Sequence, residues 1–254
     1  MNITINRAVF LDFDGVLFDT VREAYAVSMM ALNPSERIED IDFESKHFKD
    51  FNQLRYLVGP AWNYYYVMQT INNDSLPENE LDIEYKKLIG QQKQVEYNAF
   101  EKNFFHAREI LRENDHDQWL SMTCPYNIVE NLRKIINEYS EQFFLVTTRD
   151  RESVKDLLTL HNLDIPESNL FAKTDYESHK SKRKIIQNLI DKFQIEEALF
   201  IDDLEEHLVS CSTIDGLSTI QAKWGYVIPS KKEDNSASLL QELARFIQGE
   251  NVRA

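Results

Sequence analysis

The sequence predicts an α/β fold: a doubly wound parallel sheet with a mostly α-helical segment inserted after its first strand. Three observations predict it. Short apolar runs without helical spacing recur at 8–11, 143–146, 170–172 and 198–201, as in strands buried on both faces. In the second half these runs alternate with apolar positions at helical spacing, an order that implies right-handed crossovers and parallel pairing. Between 21 and 122 the pattern turns mostly helical, and 15 of the 29 aromatic residues fall in those 102 positions. Such an enrichment marks a separately packed core or an aromatic-lined pocket.

Ala8-Val9-Phe10-Leu11 is the expected first strand, and it runs into Asp12-Phe13-Asp14-Gly15. Ala24, Val27, Ser28 and Ala31 fit one helix, after which Pro34, Pro60, Pro77 and Gly90 punctuate the middle segment. Ile128, Val129, Leu132, Ile135, Ile136 and Tyr139 share a helical face. Phe143-Phe144-Leu145-Val146 is a buried strand ending at Thr147-Thr148-Arg149. Val154, Leu157, Leu158 and His161 give a helix, and Leu170-Phe171-Ala172 a short strand. Ile185, Ile186, Leu189, Ile190 and Phe193 line an amphipathic helix. The strand Ala198-Leu199-Phe200-Ile201 ends at Asp202-Asp203, and 217–222 and 239–247 supply a last strand and a closing helix. The expected division is a core of 1–20 and 123–254 with an inserted helical domain of 21–122.

Charge narrows the function. The chain carries 28 Lys and Arg against 43 Asp and Glu, a formal net charge of −15. That argues against a general nucleic-acid binder, which needs a basic face. A small anionic substrate is still admissible, because one Lys and a metal ion reverse a local field. No run reaches the roughly 18–20 apolar residues of a membrane span, and 1–10 has no apolar signal core. With Cys124 and Cys211 as the only cysteines, the expectation is a reduced, cytoplasmic protein. The expected partner is a small molecule, not a nucleic acid or a membrane, and the expected state a monomer or homodimer.

Ligands of open parallel sheets bind at the carboxyl ends of the strands. Three expected strands end in polar clusters: Asp12/Asp14, Thr147/Thr148 and Asp202/Asp203. Carboxylates converging there need a counter-ion, and hard oxygen donors favour Mg²⁺.

The segment from Val9 to Thr20, VFLDFDGVLFDT, resembles the first motif of the haloacid dehalogenase-like (HAD) superfamily. That motif is an apolar strand followed by Asp-x-Asp-Gly-x-x-x-Asp-[Thr/Ser]. The resemblance implies a Rossmann-like core with a C1-type helical cap inserted between the first and second motifs. It makes Asp12 the nucleophile and Asp14 the general acid/base. Thr147 resembles the second motif, a hydroxyl that donates to phosphate, with Thr148 beside it. The third motif is a Lys that neutralises nucleophile and phosphate. Within His179-Lys180-Ser181-Lys182-Arg183-Lys184, the spacing to Ile185-Ile186 favours Lys182, with Lys180 as the alternative. Phe200-Ile201-Asp202-Asp203 resembles the fourth motif. Asp203 takes the usual metal-ligand position, and Asp202 is a direct or water-mediated ligand; with Asp12 and Asp14 they form the expected Mg²⁺ set. Arg149 either reaches substrate or is a surface residue at a helix start. Glu205 and Glu206 are expected to be solvated.

The activity so implied is a Mg²⁺-dependent phosphatase that hydrolyses a small phosphorylated metabolite through an aspartyl-phosphate. The alternative is a sugar-phosphate mutase, which shares every core residue. A non-catalytic phosphate-ligand-binding protein is a weaker rival, since it should have lost Asp12, Asp14, the Lys or Asp203. In the insertion, Trp62, Tyr64, Tyr65 and Tyr66 either present rings to a substrate or form a helix core.

Overall fold

In the computed structural model, which describes residues 5–73, 75–91 and 93–249, the apolar runs form strands. The strands in chain order are β1 (Arg7–Leu11), β2 (Phe18–Asp19), β3 (Cys124–Pro125), β4 (Phe143–Val146), β5 (Leu170–Phe171), β6 (Glu197–Asp202) and β7 (Leu217–Gln221). Five of them make one sheet in the order β5-β4-β1-β6-β7, with every neighbouring pair parallel. The chain steps outward from β1 to β4 and β5, then crosses to β6 and β7 on the other side. The order therefore reverses at β1, the position where open α/β sheets leave a crevice beyond their carboxyl ends. Ala8, Val9, Phe10 and Leu11 are fully buried, which explains a run with no polar alternation.

The chain divides into two units, one of Thr20–Cys124 and the other of the residues before and after it. The inserted unit holds six α-helices among the described residues: α1 (Val21–Leu32), α2 (Lys46–Leu54), α3 (Asn63–Ile71), α4 (Leu81–Ile89), α5 (Gln94–Asn114) and α6 (His116–Ser121). Its centre is aromatic. The Tyr64 ring stacks on Phe51 at 5.3 Å and on Phe104 at 5.4 Å, separations typical of favourable ring pairs. Tyr64 and Tyr66 are buried within this unit, while Trp62 is half-buried and stacks on Tyr97 at 4.6 Å. Tyr65, also half-buried, donates from its hydroxyl to Glu96 at 2.8 Å. Of the four rings singled out, Tyr64 and Tyr66 are thus core residues of the inserted unit.

The sheet-bearing unit adds α7 (Ile128–Glu138), α8 (Arg151–Leu160), α9 (Lys173–His179), α10 (Lys182–Phe193), α11 (Glu205–Cys211) and α12 (Ser236–Gln248). Strand alternation sends Ala8, Phe10, Phe144, Val146, Ala198 and Phe200 into one cluster with Ile185, Ile186, Leu189 and Ile190 of α10. Ser181 caps α10, its hydroxyl accepting from the Lys184 N–H at 3.3 Å. That start puts Lys182 three and four residues ahead of Ile185 and Ile186, on the buried face. The short helices α9 and α11 carry too few apolar positions to show a period, and the sequence patterns did not mark them. The closing helix begins at Ser236, three residues before its first apolar anchor, Leu239.

Candidate active site

Register builds the site. Leu11 pairs with Leu145 of β4 and with Ile201 of β6, so the next residues of the three strands emerge side by side at one sheet end. Asp12 stays on the ladder, donating its N–H to the Ile201 carbonyl at 2.9 Å. Lys182, at the start of α10, reaches between the two acidic strand ends. Its Nζ lies 2.8 Å from Asp12 Oδ1 and 2.8 Å from Asp202 Oδ2. His207, in the first turn of α11, brings Nδ1 to 3.0 Å from the same Asp202 oxygen. The second Asp202 oxygen accepts the Leu204 N–H at 2.8 Å.

These groups are removed from water: Asp12 is 7% exposed, Lys182 2% and Asp202 0%. Burial raises the Asp12 carboxyl to about 6, against the opposing pull of Lys182 and with the help of neighbouring Asp202. For Lys182, burial would lower the ammonium, but the two carboxylates outweigh it and hold it protonated. Asp202 also resists ionisation by burial, yet Lys182 and His207 together keep it well below the usual carboxylate range. The three shifts describe one coupled system: a single ammonium serves Asp202 first and leaves Asp12 under-compensated.

That imbalance bears on a metal. Ligand atoms of Asp12, Asp202 and His207 lie within 4.8 Å of one another, close enough for one ion to reach all three. Two buried carboxylates on one lysine, with oxygen donors dominant, fit a divalent cation.

The loop after β1 is held by close backbone packing. Gly15 has φ +85, and a Cβ there would fall 2.0 Å from Asp203 Oδ2. A Cβ on Gly225 would fall 2.1 Å from the Gly15 carbonyl oxygen, so two glycines let loop 13–18 and loop 222–227 touch. Asp203 braces this contact, accepting the Tyr226 N–H at 2.7 Å, and the Tyr226 hydroxyl donates to Asp19 at 2.8 Å. On the other side of the loop, Arg149 Nη1 donates to Asp14 Oδ1 at 3.0 Å. The Arg149 N–H donates to Thr147 Oγ1 at 3.2 Å, and Thr147 is itself 1% exposed.

The structure therefore gathers Asp12, Lys182 and Asp202, and sets Asp14 two residues along the same loop. Lys180 and Lys184 are exposed, so neither competes with Lys182. Asp202 stands with Asp12, whereas a carboxylate oxygen of Asp203 is turned to Tyr226 and Gly15. Thr148 is half-buried beside Thr147, and Glu205 and Glu206 are exposed. The surface option for Arg149 is overturned: it is 2% exposed, anchored by Ser153 and Asp14. His207 escaped the sequence reading. It lies five residues after Asp202, in the first turn of a helix too short to show a period.

The fold and this strand-end cluster define a class. A family model for haloacid dehalogenase-like hydrolases matches residues 6–208, and the chain belongs to that family. No curated protein matches it. Solved structures share the fold at low identity. One, titled a predicted phosphatase from Clostridium acetobutylicum, is 16% identical, with 95% of this chain and 100% of that chain covered and a TM-score of 0.56. Another, titled a predicted phosphoglycolate phosphatase from Haemophilus somnus, is 15% identical, covers 92% and 96%, and has a TM-score of 0.58. A hydrolase from Pseudomonas syringae is 14% identical, covers 94% and 98%, and has a TM-score of 0.56. Among the described residues, no helix is long and apolar enough to cross a membrane.

Proposed function

We propose that this hydrolase is a Mg²⁺-dependent phosphatase acting on a small phosphate ester through an aspartyl-phosphate on Asp12. The observation that carries the reading is the buried Asp12–Lys182–Asp202 cluster at the switch point, with Asp14 on the adjoining loop. Membership of the hydrolase family supports it, as do the phosphatase titles of the two neighbours above.

Asp12 attacks phosphorus as the bond to the leaving oxygen breaks, and that oxygen takes the proton of Asp14. The alcohol departs, leaving Asp12 phosphorylated. Water then attacks phosphorus while giving a proton to the Asp14 carboxylate. The bond to Asp12 breaks, which restores the carboxylate and releases inorganic phosphate. Lys182 stays protonated throughout, neutralising Asp12 in the resting site and the phosphoryl oxygens in the transition state. Thr147, just past the end of β4, would donate its hydroxyl to the phosphoryl group. Asp12, Asp14, Asp202 and Asp203 would hold Mg²⁺ through oxygen, with His207 beside Asp202. When bound, the ion screens the approach of one anion to another and stabilises charge on the phosphoryl oxygens.

None of these groups reads the alcohol portion of the ester. We assign that choice to the inserted unit, as a helical cap domain, and the chemistry to the sheet-bearing unit. Two free cysteines, Cys124 exposed and Cys211 buried, suit a reducing cytoplasm. The test is a panel of phosphate esters, two-carbon acid phosphates among them, assayed with Mg²⁺ and with chelator. Turnover of at least one ester that disappears in chelator is the expected result. Full activity in chelator would overturn the metal assignment, and no turnover of any ester the phosphatase assignment.

A further inference from the structure

We propose that Arg149 is a positioning residue that aims the Asp14 carboxyl at the leaving-group oxygen. The inference rests on the acid/base reading of Asp14 given above.

The geometry points this way from both ends of the side chain. Arg149 Nη1 donates to Asp14 Oδ1 at 3.0 Å, and its Nε donates to Ser153 Oγ at 2.9 Å. Ser153 sits in the first turn of α8, which Asp150 caps by accepting the Ser153 N–H at 2.9 Å. The Ser153 hydroxyl also donates to the Asp150 carbonyl at 3.2 Å, so its orientation is set before it receives Arg149. The Arg149 backbone is tied to Thr147 Oγ1, and its guanidinium carbon lies 5.7 Å from the centre of the Phe13 ring. The chain of contacts thus runs from a helix terminus through a planar cation to Asp14. Phe13, the residue between nucleophile and acid, forms one wall.

A side chain held at this many points loses little further entropy in holding Asp14, and a planar fork fixes direction as well as distance. Asp14 needs that help. Its side chain is 17% exposed, on a loop, and an unguided carboxyl would sample several rotamers. Acid catalysis needs the donor within about 3 Å of the oxygen it protonates. Arg149 itself is only 2% exposed, so its guanidinium serves the carboxylate and not the bulk of an incoming ester.

The experiment compares kcat/KM for phenyl phosphate, a poor leaving group, with p-nitrophenyl phosphate, which departs with little protonation. The variants are Arg149→Met, Arg149→Lys, Ser153→Ala and Asp14→Asn, each checked by thermal melting. Arg149→Met should lose about 100-fold on the phenyl ester but under about tenfold on the nitrophenyl ester, with KM little changed. Arg149→Lys should recover part of the loss, since it keeps the charge without the fork. Ser153→Ala leaves the charge and Asp14 in place, and should shift the ratio of the two esters in the same direction by a smaller factor. It keeps the test open should Arg149→Met fail to fold. Equal losses on both esters would make Arg149 a structural residue. A uniform rise in KM would make it a phosphate ligand, and either result overturns the proposal. Asp14→Asn separates the two levels of inference. If it shows the leaving-group bias and Arg149→Met does not, only the positioning role falls; if Asp14→Asn shows none, the acid/base reading falls first.

Discussion

Each unit of the molecule buries charge, and the two do it differently. In the inserted unit, Glu23 is fully buried and receives Arg108 through Nε at 2.6 Å and Nη2 at 3.1 Å, with the Trp119 indole donating at 3.2 Å. Here an anion meets a cation fork to fork, with a neutral donor beside them. The cluster links α1, α5 and α6. In the sheet-bearing unit, two carboxylates share one ammonium and an imidazole, and the nucleophile candidate is the less compensated of the two. A matched cluster is complete without a ligand and serves packing. An unmatched one at a strand end is held in place by the sheet, and on the function proposed above it receives a cation and a phosphoryl group. Burial alone does not mark a functional site; the charge mismatch does.

The comparison breaks most sharply at Asp12. Asp12→Asn removes the nucleophile and should lower kcat by at least about 10⁴-fold in steady-state assays. It also relieves the carboxylate excess, so the melting temperature should hold or rise. Loss of activity together with a collapse in melting temperature would instead place Asp12 among packing residues. The matching change in the other unit is Arg108→Met, which leaves Glu23 buried without its cation. It should destabilise by about 3–5 kcal/mol in denaturant titration, the scale for breaking a buried pair. A change below about 1 kcal/mol would mean that water or other groups already satisfy Glu23.

Lys182→Ala comes next. It should cost about 100-fold in kcat/KM and weaken inhibition by inorganic phosphate, while Lys180→Ala and Lys184→Ala stay within about twofold. Burial is the reason, since Lys182 alone of the three lies between the two carboxylates. If Lys180→Ala has the larger effect, the cluster seen here is not the phosphate site.

Much of this was legible in the sequence, for definable reasons. Four of the five sheet strands are apolar runs bounded by turn residues, and the resemblance of the segments around them to family motifs pointed to Asp12, to the Asp202/Asp203 pair and to Lys182 over Lys180. Local pattern suffices when a residue's position follows from the element that bears it. The remainder depended on contacts distant in sequence. Arg149 looks like an ordinary helix-start charge until Asp14, 135 positions earlier, is brought to it by the pairing of β1 with β4. His207 is invisible because α11 is only seven residues long and shows no period. The choice of Asp202 over Asp203 as the partner of Asp12 depends on which way each side chain leaves the end of β6. The two glycines that seat Asp203 lie 210 positions apart. The aromatic ambiguity of the insertion resolved only for rings that stack within it, because composition cannot tell a core ring from a ligand-facing one.

The smallest expected effect is the most diagnostic of the charge mismatch, and it concerns pH. Burial lifts the Asp12 carboxyl from 3.8 to about 6 in the folded protein. Between those values the folded state holds a proton that the unfolded chain has released, so without metal this group's contribution to stability falls as pH rises through the window. The scale is roughly 2–3 kcal/mol; Asp202, held ionised by Lys182 and His207, changes its proton count only below this window, where it contributes with the opposite sign. A divalent cation competes with that proton for Asp12. Added Mg²⁺ should therefore raise the melting temperature by only about a degree at pH 5, where Asp12 is largely protonated, and by several degrees at pH 7.5. In Asp12→Asn the difference between the two pH values should vanish, because the competing proton is gone. Equal Mg²⁺ shifts at both pH values in the unsubstituted protein would show that Asp12 is already ionised at pH 5 or does not hold the ion. In either case the surplus charge that separates this cluster from the Glu23–Arg108 pair would not be centred on Asp12.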